Sequence, residues 1–398
     1  MRLTTLPALT LGLASLTACV APVGGDQSGR GRNPTGECDL DSAKVVTKDL
    51  TLRSAEDIDE ANLPGGCWDL DGTLRIESPN ITSLAGLGKL AAVTNLELVN
   101  TKLTKLDFAE PVTVYEKLDV RNNQTLGTLD KLLIEQDRAV GITIQDNPML
   151  TSLEGLVDLT KVEGGDFVIR GNAKLATLSL PALNEVTGRF EISDNGALVN
   201  VDGLSELATI GGELTIYGNA KLETIKLPRF TAANGPTRIS NNAALTSIDV
   251  ANLETVKRFE ISDNQGLKQF SGFRAQQIGG DLMVRNNKSL GSLGSMFSLD
   301  SILGQVTIDN NAALTTLGTF TLTLRNVTST LTVSNNPQLG DLGQISHMNG
   351  IAGSVSIANN TKLPYCKALE IDHCVATGAV SIVGNLNTQT TNCDCWCD

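Results

Sequence analysis

The sequence predicts an all-β protein, a solenoid of short parallel strands stacked coil upon coil. Three observations predict it. The phrase apolar-x-x-Asn-x-x-Leu recurs along the chain, the residue before each Asn is always Gly, Asn or Asp, and the residues leading into it alternate in polarity. Composition agrees: the 398 residues include 38 Gly, and 41% are hydrophobic but only 4% aromatic. A narrow interior that repeats at every step takes stacked aliphatic chains more readily than rings.

The aligned asparagines are Asn123, Asn147, Asn172, Asn195, Asn219, Asn242, Asn264, Asn287, Asn311, Asn336, Asn360 and Asn385, spaced 22 to 25 residues apart. Asn100 lies 23 residues before the first and extends the series, and LRIESPNITSL at 74–84 reads as a shortened opening copy. About 14 coils of 22–25 residues are expected, so chain length counts coils rather than domains. The Gly, Asn or Asp before each Asn, from Asn122 and Asp146 to Asn359 and Gly384, tolerates the left-handed backbone region. Each coil is expected to turn a corner there. The following Asn then bonds to the neighbouring turn, giving a ladder along the stack. Calcium held by corner carboxylates is the alternative, but only Asp146, Asp194 and Asp263 supply one.

Period-two alternation assigns the faces of each strand. In Phe167-Val168-Ile169, Phe190-Glu191-Ile192 and Leu214-Thr215-Ile216 the outer members face inward. The outward column then reads Asp119, Thr143, Val168, Glu191, Thr215, Arg238, Glu260, Met283, Thr307, Thr332, Ser356 and Ser381. Beside it run Arg121, Gln145, Arg170, Ser193, Tyr217, Ser240, Ser262, Arg285, Asp309 and Ser334. Recognition surfaces favour Tyr, Trp and Arg, so Arg121, Arg170, Tyr217, Arg238 and Arg285 mark the candidate binding face. Asp119, Glu191, Glu260 and Asp309 are expected to be isolated carboxylates. A plain solvated sheet is the competing reading.

Residues 1–18 read as an export signal: Arg2 precedes an apolar run without an acidic residue, ending at Leu16-Thr17-Ala18-Cys19. Residues 19–37, rich in Gly, Pro, Ser and Asn, are expected to form a flexible tether. An N-terminal cap is expected over 38–73, the repeats over 74–363, and a Cys-rich cap with the last coil over 364–398. After Cys19 come Cys38, Cys67, Cys366, Cys374, Cys393, Cys395 and Cys397, two before the repeats and five after them. In an exported chain these read as disulfide staples. Cys38 pairs with Cys67, while Cys366 and Cys374 pair among the last three, with partners left open. An odd thiol remains or reaches outside the chain. Zinc bound by the 393–397 run is the alternative, at a spacing tighter than usual.

These phrases carry resemblances. Leu16-Thr17-Ala18-Cys19 resembles the lipobox of bacterial lipoproteins, which implies that Cys19 is lipidated and anchors the chain to a membrane. The phrase L-x-I-x-x-N-x-x-L-x-x-L resembles a leucine-rich repeat, with Asn-x-x-Leu replacing Asn-x-Leu. That departure, with Gly164-Gly165, Gly211-Gly212 and Gly279-Gly280 opening strands, is closer to the receptor L-domain. The layout is similar to myxobacterial surface lipoproteins built of such repeats. Their last coil reads like Asn360-Thr361-Lys362-Leu363-Pro364-Tyr365-Cys366, then Gly378 to Asn385 and a final Cys. The resemblance spans most of residues 67–395. It implies a right-handed, single-stranded parallel β-helix, a place in the cell envelope at the outer membrane or cell surface, and a strand face offered to protein ligands.

Chemistry is sparse. A formal charge of −13 leaves no basic stripe for nucleic acid. The histidines are His347 and His373, and no nucleophile elbow or phosphate loop occurs. No cofactor or metal is expected. Asp57, Asp59 and Glu60 read as a solvated acidic stretch. The expected function is a non-catalytic, lipid-anchored surface protein for recognition or adhesion, with a protein or glycan ligand. The alternatives are a polysaccharide-active β-helix enzyme, which needs carboxylates and a Lys or Arg converging in a groove, and a structural envelope spacer.

Overall fold

The computed structural model describes residues 38, 43–135, 141–294, 296, 298–318, 324–343, 350–374 and 376–386. They form an all-β solenoid of about 13 turns with its strands stacked in parallel. Each motif residue pairs with its counterpart one coil on: Ile144 with Ile169, Ile169 with Ile192, Ile192 with Ile216, and onward to Ile357 with Ile382. A short second sheet, Thr224–Lys226, Ser247–Asp249 and Gln269–Phe270, lies on another side of the coils.

Inward members of the strands are sealed, with Phe167, Ile169, Phe190, Ile192 and Ile261 at 0% exposure. Leucines after each corner, such as Leu150, Leu153, Leu156 and Leu159, close the other sides. One apolar column therefore runs the length of the described stack, which no single coil could bury alone. The few rings stack on one another: Phe167 and Phe190, one coil apart, lie 5.0 Å between centroids.

Every expected corner has positive φ, from 54° at Asp146 to 68° at Gly218 and Gly384. Gly appears where the neighbouring corner side chain leaves no room. A Cβ on Gly171 would strike Asp146 Oδ1, and one on Gly218 would strike Asp194 Oδ1. The expected asparagine ladder is present and sealed, with Asn123 through Asn360 at 0% exposure. Each ladder Asn donates its backbone N–H and Nδ2–H to Oδ1 of the next, as Asn147 does to Asn172 at 3.2 Å in both bonds. Nδ2 also donates to a strand carbonyl of the preceding coil, Val120 O at 2.9 Å in that case.

Asn100 is a correction. Its φ of 53° makes it a corner residue. Thr101 holds the ladder place, and its N–H and hydroxyl donate to Asn123 Oδ1 at 3.0 and 2.7 Å. That coil is one residue shorter than the spacing from Asn100 suggests, so the Asn falls on the corner.

The stack also begins before Leu74. Leu50–Leu52 pairs with Leu74, Arg75 and Ile76, and Lys44–Val46 pairs with Trp68, Asp69 and Leu70. Trp68 is fully buried and donates its indole N–H to Leu87 O at 3.1 Å. The acidic stretch lies on a helix, Ala55–Glu60, and its Asp59 and Glu60 are exposed to solvent as expected, with Asp57 half-buried. Ser54 and Asp57 form a capping box, with the Asp57 carboxylate accepting from the N–H groups of Arg53 and Ser54. Ile58 pins this helix to the core. The disulfide Cys38–Cys67 is formed and packs on Ala91, Ala92 and Tyr115.

Another helix, Tyr365–Cys374, precedes the last strand among the described residues, Val380–Val383. Cys366 is disulfide-bonded. The signal, the tether, Cys19, His347, Cys393, Cys395 and Cys397 lie outside the described residues, as do the side chains of His373 and Cys374.

Candidate binding face

Parallel pairing sets the outward residues in columns. Asp119, Thr143, Val168, Glu191, Thr215, Arg238, Glu260, Met283 and Thr307 are successive register partners. So are Arg121, Gln145, Arg170, Ser193, Tyr217, Ser240, Ser262 and Arg285. The columns extend upstream, through Arg75 and Glu97 to Asp119.

The carboxylates of this face are not isolated. Asp119 pairs with Arg121 at 2.6 Å and with Lys117 at 3.9 Å. Glu97 pairs with Arg75 at 2.5 Å and Lys117 at 2.9 Å. Glu191 takes Arg189 at 2.8 Å, Arg170 at 3.9 Å and the Ser193 hydroxyl at 2.6 Å. Glu260 is surrounded by Arg285 at 2.9 Å, Arg238 at 3.6 Å and Arg258 at 3.7 Å. Asp309 accepts from Ser334 at 2.6 Å and Asn335 at 2.8 Å. Two spacings bring these groups together. Within a strand, residues two apart share the outward face, as Asp119 and Arg121, Glu191 and Arg189, and Glu260 and Arg258 do. Between coils, strands lie about 4.8 Å apart, which brings Arg75 and Lys117 to Glu97 and Arg285 to Glu260.

Desolvation pushes the Glu97 carboxyl upward, but hydrogen bonds from Lys117 and Arg75 outweigh it and hold the group below its ordinary value. The hydrogen bond from Arg75 also holds Glu77 below its ordinary range.

Of the five predicted binding residues, four arginines are engaged: Arg121 with Asp119, Arg170 with Asp194 and Glu191, Arg238 with Glu213 and Glu260, and Arg285 with Glu260. Tyr217 is different. It is 42% exposed in the middle of the face, between Ser193 and Ser240.

Sequence reasoning missed Arg75, Lys117, Arg189 and Arg258 as members of this network. A signal existed: residues 189–195 and 258–264 are the same heptapeptide, RFEISDN. Alternation sends its Arg, Glu and Ser outward together, and both copies build the same nest around Glu191 and Glu260. Beyond Thr307 the column continues as Thr332, Ser356 and Ser381, without charge.

A separate open groove of about 620 Å³ lies along the second sheet, lined by Asp202, Lys226, Asp249, Lys268, Gln269 and Ser271 among others. Among the described residues, no group of three or more His, Cys, Asp or Glu side chains is placed to hold a metal ion. No helix among them is long and apolar enough to cross a membrane. Comparison with known proteins finds no matching protein family, no matching curated protein and no matching solved structure.

Proposed function

We propose that this is a non-catalytic, lipid-anchored cell-surface protein for recognition or adhesion, and that the outward strand face around Tyr217 is its binding surface. One observation supports this most. Parallel backbone pairing sets the spacing of the face, arginines bridge successive coils on it, and an exposed tyrosine stands at its centre. A rigid surface loses little entropy on association, and Tyr supplies large contact area with few rotatable bonds. The paired arginines supply orientation rather than bulk affinity. The lipid anchor rests on the Leu16-Thr17-Ala18-Cys19 phrase, and the surface location on the resemblance to myxobacterial lipoproteins.

The test is a glycan and surface-protein array probed with the chain lacking residues 1–19. A specific hit should weaken about tenfold or more in Tyr217→Ala. Hits insensitive to Tyr217→Ala and Arg238→Ala would place the ligand elsewhere. Absence of any hit would favour a structural spacer. For the anchor, Cys19→Ala should release the protein from membranes, and unchanged membrane association would refute it.

The groove favours a second reading. It brings the carboxylates of Asp202 and Asp249 and the amines of Lys226 and Lys268 around one cleft, the kind of set a polysaccharide lyase or hydrolase needs. Release of sugar ends from acidic polysaccharides, abolished by Asp249→Asn, would establish that reading.

A further inference from the structure

In the coils around Val256, Arg229, Arg238, Arg258, Arg285 and Arg325 each stand in an ion pair. Lys257 and Arg274 are exposed and, among the described residues, make none. The two line one open cleft of about 540 Å³ together with Glu254, Thr255, Gln276 and Gln277. Acids of the adjoining coils are engaged elsewhere, Asp281 with Arg258 and Asp300 with Arg325. Glu254 is the one carboxylate in the lining. In a chain of formal charge −13, two unpaired cations in one cleft run against the field of the whole molecule.

The cleft has a cause in the sequence. Between the inward residues Val256 and Phe259 stand two residues, Lys257 and Arg258. The coils on either side have three, Asn234, Gly235 and Pro236 in one and Gly279, Gly280 and Asp281 in the other. The shorter corner recedes between its neighbours. The coils also part beside it. Elsewhere along this side two successive amides share one carbonyl of the preceding coil, as Glu254 and Thr255 share Thr231 O, and Asp300 and Ser301 share Gln276 O. By that rule Gln276 and Gln277 should share Glu254 O, and neither does. Arg274 instead donates its amide to Leu253 O at 3.0 Å, and the Gln276 N–H meets no acceptor among the described residues.

We infer that this cleft is a binding site for a carboxylated sugar. Lys257 and Arg274 offer charge-assisted hydrogen bonds to a carboxylate, and the Gln276 N–H adds a neutral donor. The Gln277 amide donates to the Ser301 hydroxyl at 3.0 Å, which leaves its oxygen to accept from a ring hydroxyl. The Thr255 hydroxyl and the Glu254 carbonyl suit sugar hydroxyls as well, since those both donate and accept. The volume lies in the range of small-ligand sites, roughly 300–1,000 Å³. The exposed lining is polar, so an acyl chain has nothing to bury against. An extended acidic peptide would need a row of free backbone groups along a sheet edge. The site stands independently of the face around Tyr217.

The test is calorimetry on the full chain. The probes are monomers and linear trimers of galacturonate and mannuronate, the methyl esters of the trimers, sulfate, and a hexaglutamate peptide. At least one uronate should bind saturably at one site, and its methyl ester about tenfold more weakly or worse. A trimer that binds more tightly than its monomer assigns a polymer as the source, and equal affinities assign a free sugar acid. Lys257→Met and Arg274→Gln should each weaken uronate binding about tenfold or more. Both positions are exposed, so the fold tolerates the changes. Arg229→Gln removes the same charge outside the cleft, and it should leave the affinity within about twofold, as should Tyr217→Ala. Absence of uronate binding would overturn the inference, as would an equal loss in Arg229→Gln. A loss in Lys268→Met with Lys257→Met unaffected would move the site to the groove of the second sheet and overturn it too. Sulfate or hexaglutamate binding more tightly than every uronate would refute the sugar assignment.

Discussion

The side-chain carbonyl of Asn219 accepts both the backbone N–H and the Nδ2–H of Asn195, one coil earlier, at 3.0 and 3.4 Å. Asn219 in turn donates to Asn242 Oδ1 at 3.0 Å and to Ile192 O at 2.9 Å. One side chain thus bonds buried groups of the coil before it and of the coil after it. Replacing it with Ala orphans the Asn195 N–H and the Ile192 carbonyl lone pair that Asn219 occupied. The expected cost is about 2–4 kcal/mol, since each unsatisfied buried group costs roughly 1–3 kcal/mol. Chemical denaturation of Asn219→Ala checks this, and a change within about 0.5 kcal/mol would contradict the ladder's structural weight.

Gly171→Ala should destabilise more than an ordinary loop substitution. The backbone φ is +67°, and the added methyl would meet the Asp146 carboxylate. A loss of about 1–2 kcal/mol is expected from the left-handed conformation alone. In the double variant with Asp146→Gly part of the loss should return. Additive losses in that pair would mean the clash is not what Gly171 avoids.

Acid should weaken the Arg75–Glu97–Lys117 chain. Glu97 titrates below its ordinary value of 4.5 in the folded protein. Its contribution is therefore complete above the unfolded value and is lost as pH falls through the folded one. Glu97→Gln should lower stability at pH 7 by up to about 1 kcal/mol, as for pairs near the surface. The difference from the unmodified protein should shrink toward pH 3. Thermal melts of both proteins across that range decide it, and a gap that widens in acid would reverse the sign argued here.

Cys67→Ser opens a loop of sequence separation 29. Loop-closure entropy gives an expected loss of about 3–4 kcal/mol. The Ala91, Ala92 and Tyr115 flank should become exchange-labile with it. A melting temperature unchanged from the disulfide-bonded protein would remove the staple's role.

Much of the fold was legible in the residues themselves. A corner needs positive φ, which Gly, Asn and Asp tolerate, so Asp146, Gly171 and Asn241 announce their geometry locally. Phe190 and Ile192 announce their inward direction by alternation. Thr101 was hidden because a ladder place can be filled by any side chain whose oxygen and N–H suit the next Asn, and the Asn beside it drew attention to the wrong residue. The helix Ala55–Glu60 was hidden because its signals, Ser54 and Asp57, occur within a charged run.

The candidate face was legible as columns and illegible as chemistry. Sequence by itself determined that Arg238, Glu260 and Arg285 point outward, because a strand's pleat has period two. Only the stacked structure decided that they meet. Contacts between coils depend on the one-coil register and on side-chain length, and these join Glu260 to Arg238 and Arg285, and Glu97 to Arg75 and Lys117, in a network. That network leaves Tyr217, rather than a line of cations, as the exposed feature of the face.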